Sequence, residues 1–181
     1  MTAALCATDV WIEFNHQWLL YSTPFERASE VNRKLRYMCL VDFNEELLIR
    51  TVGHVDTPKL QVFMRKVAER TRNARTMHVT TPAGTDVTFE IDPVHYVACD
   101  CGDATFPAAH MLTGQINVVP KFGSIEGTIV FDGCVTPPCG QGAVSHSDGI
   151  CLNSTVWLDG QCIMREGVIV DKELSALDPT V

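Results

Sequence analysis

The stretch LTGQINVVPKFGSIEGTIVFDG, residues 112–133, alternates short apolar runs with Gly, Pro and Asp. A smaller companion, TPAGTDVTFEI at residues 81–91, has the same texture. Each reads as a strand, a sharp bend and a second strand, because Gly and Pro break regular structure while the β-branched and aromatic residues beside them suit a pleated surface. The bends are the points at which this chain has something to position. Downstream, Asp132-Gly133 and Asp159-Gly160 are tight hairpin dipeptides, and WLDGQCIMREGVIV, residues 157–170, predicts strand, two-residue turn, strand, turn, strand. KELSALDPTV, residues 172–181, starts a closing helix that stops at Pro179.

Upstream the pattern changes to helices between strands. TAALCAT, residues 2–8, has the look of the last turns of a helix, and Val10 to Phe14 follows as a strand in which Val10, Ile12 and Phe14 alternate against Trp11 and Glu13. Thr23 as N-cap, Pro24 at the first helical position and Glu26 three residues after the cap predict a capping box, behind which Phe25, Ala28, Val31 and Leu35 form a stripe. Tyr37 to Val41 is a continuous apolar run, the signature of a strand in a parallel sheet. Asn44 can cap a short helix carrying Leu47, Leu48 and Ile49. Pro58 to Arg72 is the strongest helix, with Leu60, Phe63, Met64, Val67, Ala68 and Thr71 at helical spacing behind a Thr57 cap. The expected fold class is therefore α/β followed by antiparallel β: an open parallel-sheet layer with helices over residues 1–75, then a β-rich subdomain of hairpins over residues 76–181.

With 181 residues, 46% of them hydrophobic, the chain can bury a sizeable core. A net charge of -8 argues against a nucleic-acid partner. The local basic cluster Arg65, Lys66, Arg70, Arg72 and Arg75 falls at the end of the predicted helix, where cations complement the dipole, and reads as a solvated terminus. Neither a secretory leader nor a run of about 18 apolar residues is present, so the expectation is a cytoplasmic protein with its eight cysteines reduced.

Six histidines, at 16, 54, 78, 95, 110 and 146, include no pair with the helical spacing of a zinc-protease helix. His16 follows the first strand, where ligands of open α/β sheets bind, and His110 borders the central bend. His146-Ser147-Asp148 has the His-x-Asp form of some metal sites but sits in Gly/Ser-rich sequence that a turn explains. Cys99 and Cys101 with Cys134 and Cys139 could make a closed zinc site, although neither pair has knuckle spacing and buried free cysteine is common. Asp86 and Glu126 are the carboxylates flanked by bend residues, where bracing a turn competes with a role in a site.

The succession ATDVWIEF, TPAGTDVTFEI, LTGQINVVP and GSIEGTIVFDG resembles the group that holds the aminopeptidase T type metallopeptidases and the 2,5-dihydroxypyridine dioxygenases, over roughly Ala7 to Gly167. The peptidase branch implies a pair of divalent metals (zinc, cobalt or manganese) and a carboxylate ligand near residues 112–120, where this chain has Gln115. An amide brings no charge to a metal, so the resemblance points to the dioxygenase branch, which implies one non-haem iron held by two histidines and a carboxylate. The metal motifs of both branches lie beyond the matched part, which suggests a shortened member or a fragment. The resemblance implies iron-dependent opening of a hydroxylated pyridine ring; by their positions at strand ends and bends His16 and His110 are the catalytic candidates, and Gln115 and Asp86 the substrate contacts. Metal-dependent release of amino acids from short peptides and a non-catalytic, oligomerising module are the alternatives, and a homo-oligomer is expected.

Overall fold

The structure is a computed structural model that describes residues 1–16, 19–41, 43–92, 94, 97–112, 114–130 and 154–177. Its first layer is a parallel sheet of three strands, β1 (Val10–Glu13), β2 (Arg36–Cys39) and β6 (Ala109–His110), with β2 in the centre. α1 (Thr2–Leu5) and α2 (Thr23–Val31) cover one face, where Leu5, Ala28 and Leu35 pack with Cys6 and Trp11. α3 (Glu45–Leu48), capped by Asn44 as its sequence predicts, runs on into a π-helical turn at Ile49–Gly53.

The second layer is a six-stranded antiparallel sheet in the order β11-β10-β9-β3-β4-β8. Its strands are β3 (Thr76–Thr80), β4 (Asp86–Glu90), β8 (Glu126–Thr128), β9 (Thr155–Leu158), β10 (Gln161–Arg165) and β11 (Val168–Ile169). A separate two-stranded ribbon pairs β5 (Ala98–Asp100) with β7 (Gln115–Asn117). The chain is thus a mixed helix and sheet fold with parallel and antiparallel sheets. No helix among the described residues is long and apolar enough to cross a membrane.

The main core gathers Ala68 of α4 (Thr57–Asn73), Ile91, Val97, Leu158, Ile163 and Leu174 of α5 (Lys172–Ser175). α4 therefore packs toward the antiparallel sheet, and β6 closes the parallel one, so elements from both sides of residue 75 share each layer.

The two glycine-hinged bends are joined to each other. β4 pairs with β8 so that Val87 faces Gly127, and Thr85 Oγ1 accepts from the Val130 amide at 3.0 Å. Gly127 has φ +115, and a Cβ there would stand 2.0 Å from the Asp86 carbonyl oxygen, so only glycine lets the strands close. The Asp159-Gly160 turn is formed with φ of 48 and 78, the positive pair that the right-handed twist of a two-residue hairpin needs. Asp132-Gly133 lies outside the described residues.

Local details depart from expectation. α2 is capped at Ser22 rather than Thr23, with no side-chain cap bond, and α4 at Asp56 rather than Thr57, where the Asp56 carboxylate accepts from the Lys59 amide. At α4 the Asp56 carboxylate, one residue earlier, is an equivalent acceptor for the first-turn amides. The α2 stripe ends at Ala28: Val31 is exposed and Leu35 lies beyond the helix. The basic cluster is in part a solvated terminus, with Arg65, Arg72 and Arg75 exposed, and in part a set of tertiary bonds. Arg70 bonds Asp171 at 2.7 Å and Glu173 at 3.1 Å, Lys66 bonds Glu173 at 3.0 Å, Arg65 bonds Asp103 at 3.2 Å, and Arg72 donates to the Val97 carbonyl.

Asp171 is the centre of that clamp, since its carboxylate also accepts from the Glu173 and Leu174 amides at the start of α5. Those backbone bonds, Leu174 first, and then Arg70 hold its carboxyl below the usual range despite its burial. A depressed carboxyl stabilises the fold fully at neutral pH and loses that contribution as pH falls from about 4 through its folded-state value. Asp171→Ala is expected to cost about 1–2 kcal/mol in urea unfolding at pH 7, with the difference from wild type shrinking in acid. Gly127→Ala is expected to cost more than about 1 kcal/mol, and clearly more than Gly123→Ala, whose Cβ would meet nothing within 4 Å.

Candidate functional site

Parallel strands leave their carboxyl ends on one edge, where α/β proteins place their ligands. Here β1 ends at Glu13, β2 at Cys39 and β6 at His110. Glu13 is only 1% exposed. Its carboxylate survives burial because three donors converge on it: Asn15 Nδ2 and the Leu19 amide, each at 2.8 Å, and the Tyr37 hydroxyl in a short bond. Burial, then the bond to Glu13, pushes the Tyr37 phenol far above its ordinary range. Trp11 and Phe25 pack their rings on Tyr37 at centroid distances of 4.7 and 5.4 Å, which fixes the phenol beneath the carboxylate.

His110, also 1% exposed, is held at both ring nitrogens. Nδ1 lies 3.2 Å from Asp100 Oδ1 and Nε2 lies 2.8 Å from the Phe106 carbonyl oxygen, with the Phe106 ring edge-on. Both ring nitrogens are thus engaged, one by a carboxylate and one by a backbone carbonyl. Asp100 accepts in addition from the Met111 amide at 2.6 Å and the Gly102 amide at 3.0 Å. One carboxylate thereby ties the end of β5, the turn after it and the end of β6. Gly102 has φ +70, and a Cβ on it would meet the Leu112 carbonyl oxygen at 2.5 Å, so the returning loop also depends on glycine.

The predicted residues fall at different places. His110 and Gln115 are linked through Asp100, whose backbone is the register partner of Gln115. The Gln115 side chain is exposed and donates to Asn117 Oδ1 at 3.1 Å. His16 is exposed, three residues beyond Glu13 at the carboxyl edge. Asp86 belongs to the other sheet, where it is 74% exposed and bonds His78 Nε2 at 2.8 Å, the His78 ring being stacked on Trp157. Glu126 is an exposed residue of β8. His95, His146, Asp148, Cys134 and Cys139 lie outside the described residues. Among the described residues no three of His, Cys, Asp and Glu come together as a metal-holding group, so these residues do not make an iron's donor set. Sequence reasoning misses Glu13, Tyr37 and Asp100. The one available signal is an acid within the strand-like VWIEF run, and alternation alone places such an acid on the wet face.

This mixed helix and sheet fold has a solved counterpart. The chain is similar to the solved structure of 2,5-dihydroxypyridine dioxygenase from Pseudomonas putida, with a TM-score of 0.60 and 16% identity over 96% of this chain and 75% of that one. A family model described as NicX, 2,5-dihydroxypyridine 5,6-dioxygenase, matches residues 1–135, and the chain belongs to that family. A comparison with curated proteins finds no match. The findings fall on the dioxygenase side of the expected resemblance, and nothing in them supports the aminopeptidase T side.

The Glu13–Tyr37 bond has an alkaline signature. A phenol whose folded-state value is raised contributes its full stability below about pH 10 and loses it as pH climbs further. Of the chain's three tyrosines, Tyr37 is expected to stay protonated through the ordinary range in a spectrophotometric titration until the protein unfolds. Tyr37→Phe, which strips one donor from the buried carboxylate, is expected to cost about 1–3 kcal/mol.

Proposed function

We propose that this chain serves an iron-dependent dioxygenase that opens the ring of a hydroxylated pyridine, with the carboxyl edge of the parallel sheet as its substrate-facing wall. Family membership supports the dioxygenase reading, and the single structural observation that carries the placement is the doubly held His110 at the end of β6. Iron, the metal the family suggests, would supply activation of dioxygen, and its donors have to come from outside the described residues. The part played by these residues is therefore positioning. His110 and Asp100 fix the loop between β5 and β7, Glu13 and Tyr37 fix the end of β1, and His16 is left on the exposed side to meet a small planar substrate.

An oxygen electrode tests this directly. Protein supplied with ferrous iron and 2,5-dihydroxypyridine is expected to consume dioxygen in step with loss of the substrate's ultraviolet absorbance. Absence of uptake from folded, iron-supplied protein would overturn the proposal. His110→Asn is expected to lower kcat by about 100-fold with a smaller change in KM, the split that distinguishes lost positioning from lost substrate binding. His16→Ala is expected to act mainly on KM.

A further inference from the structure

β5 and the turn after it carry two thiols that the dioxygenase chemistry does not use. Cys99 and Cys101 lie on the same face, and their Sγ atoms are 3.3 Å apart. A cleft of about 190 Å³ opens onto both, walled by Arg65, Arg72, Asp103 and Phe106. Cys101 is buried and Cys99 is half-buried, so the pair has one sulfur that a small molecule reaches first and one behind it. Between them stands Asp100, whose carboxylate holds His110, Met111 and Gly102.

We propose that Cys99 and Cys101 are a redox pair that closes to a disulfide when a small hydroperoxide enters this cleft, and that closure loosens the hold of Asp100 on His110. The Cys99 thiolate attacks the peroxide: an S–O bond forms, the O–O bond breaks and the departing alkoxide or hydroxide takes a proton. Cys101 then attacks the sulfenic sulfur, forming S–S, breaking S–O and releasing water. Two thiols lose two electrons and two protons in total, and ROOH becomes ROH and water. The two arginines favour the thiolate, but burial, joined by the bond to Cys101, outweighs them and pushes Cys99 up to about 11. Cys99 is therefore mostly protonated at neutral pH, and its oxidation accelerates as pH rises, by about tenfold per unit well below that value.

Closure acts on Asp100 for a geometric reason. Residues two apart on an extended strand have Cα atoms separated by about 6.6 Å, at the upper end of the range that a disulfide spans. Bonding their sulfurs draws in the backbone between them, and that backbone is Asp100. The coupling to His110 rests on the proposed role of the carboxyl edge, whereas formation of the disulfide does not.

The test is to treat the reduced full chain with hydrogen peroxide, alkylate the remaining thiols and map the peptides by mass. The expected product is one peptide holding Cys99 and Cys101, unalkylated and lighter by two hydrogens, while the chain's other six cysteines take the label. Sulfinic or sulfonic acid on either residue, a bridge to any other cysteine, or full alkylation of both after exposure that oxidises other thiols would overturn the redox pair. In the oxidised chain the His110 ring resonances are expected to shift, and peroxide-treated Cys99→Ser is expected to keep them in place. A disulfide that forms without moving those resonances would overturn the coupling. Neither readout uses turnover, so failure here is distinct from failure of the dioxygenase reading.

Discussion

A carboxylate cut off from water has to find its hydrogen-bond donors inside the protein, and Glu13 finds three of them at the end of β1. That requirement fixes much of the first layer. The Tyr37 hydroxyl must lie beneath the neighbouring strand end, which sets the parallel register of β1 on β2, Trp11 opposite Tyr37. Asn15 and Leu19 must turn back over the edge, which shapes the segment carrying His16. Replacing the pair by apolar residues could leave a well-packed layer, but it would remove the constraint that defines the edge.

Asp100 does the corresponding work on the other side of β2. Its carboxylate bonds the His110 ring and accepts from the Gly102 and Met111 amides. The two carboxylates, one at each flank of the central strand, hold the carboxyl edge in shape, Glu13 through Asn15, Leu19 and Tyr37 and Asp100 through His110, Gly102 and Met111. Ion pairs are concentrated on α4 and α5, where Lys66, Arg70, Asp171 and Glu173 fasten the last helix across the main core.

The legible parts of the fold are those in which local chemistry decides. Asp159-Gly160 is a hairpin because both positions need positive φ, and the Tyr37 run is a parallel strand because its apolar residues need cover. The caps of α2 and α4 fall one residue from their expected places: at α4 Asp56 beside Thr57 offers an equivalent oxygen and takes the cap bond, whereas at α2 Ser22 holds the cap position without a side-chain bond. The candidate site is legible only in part. His110 stands out as a histidine near a bend, but its partner Asp100 is ten positions away and on another strand. Glu13 is hidden for a deeper reason: alternation predicts a solvated acid, and its burial is licensed only by donors that the tertiary fold delivers.

The pairing of β3 with β9 brings residues 76–80 against residues 155–158, so everything from residue 81 to residue 154 is an excursion between two adjacent strands. Closing so long a loop costs entropy before the contacts that compensate it can form. The hairpins β3–β4 and β9–β10 can each assemble early from nearby residues, while the seam between them has to wait for closure of the loop from residue 81 to residue 154. The speed at which this protein reaches its native state is therefore governed by that seam.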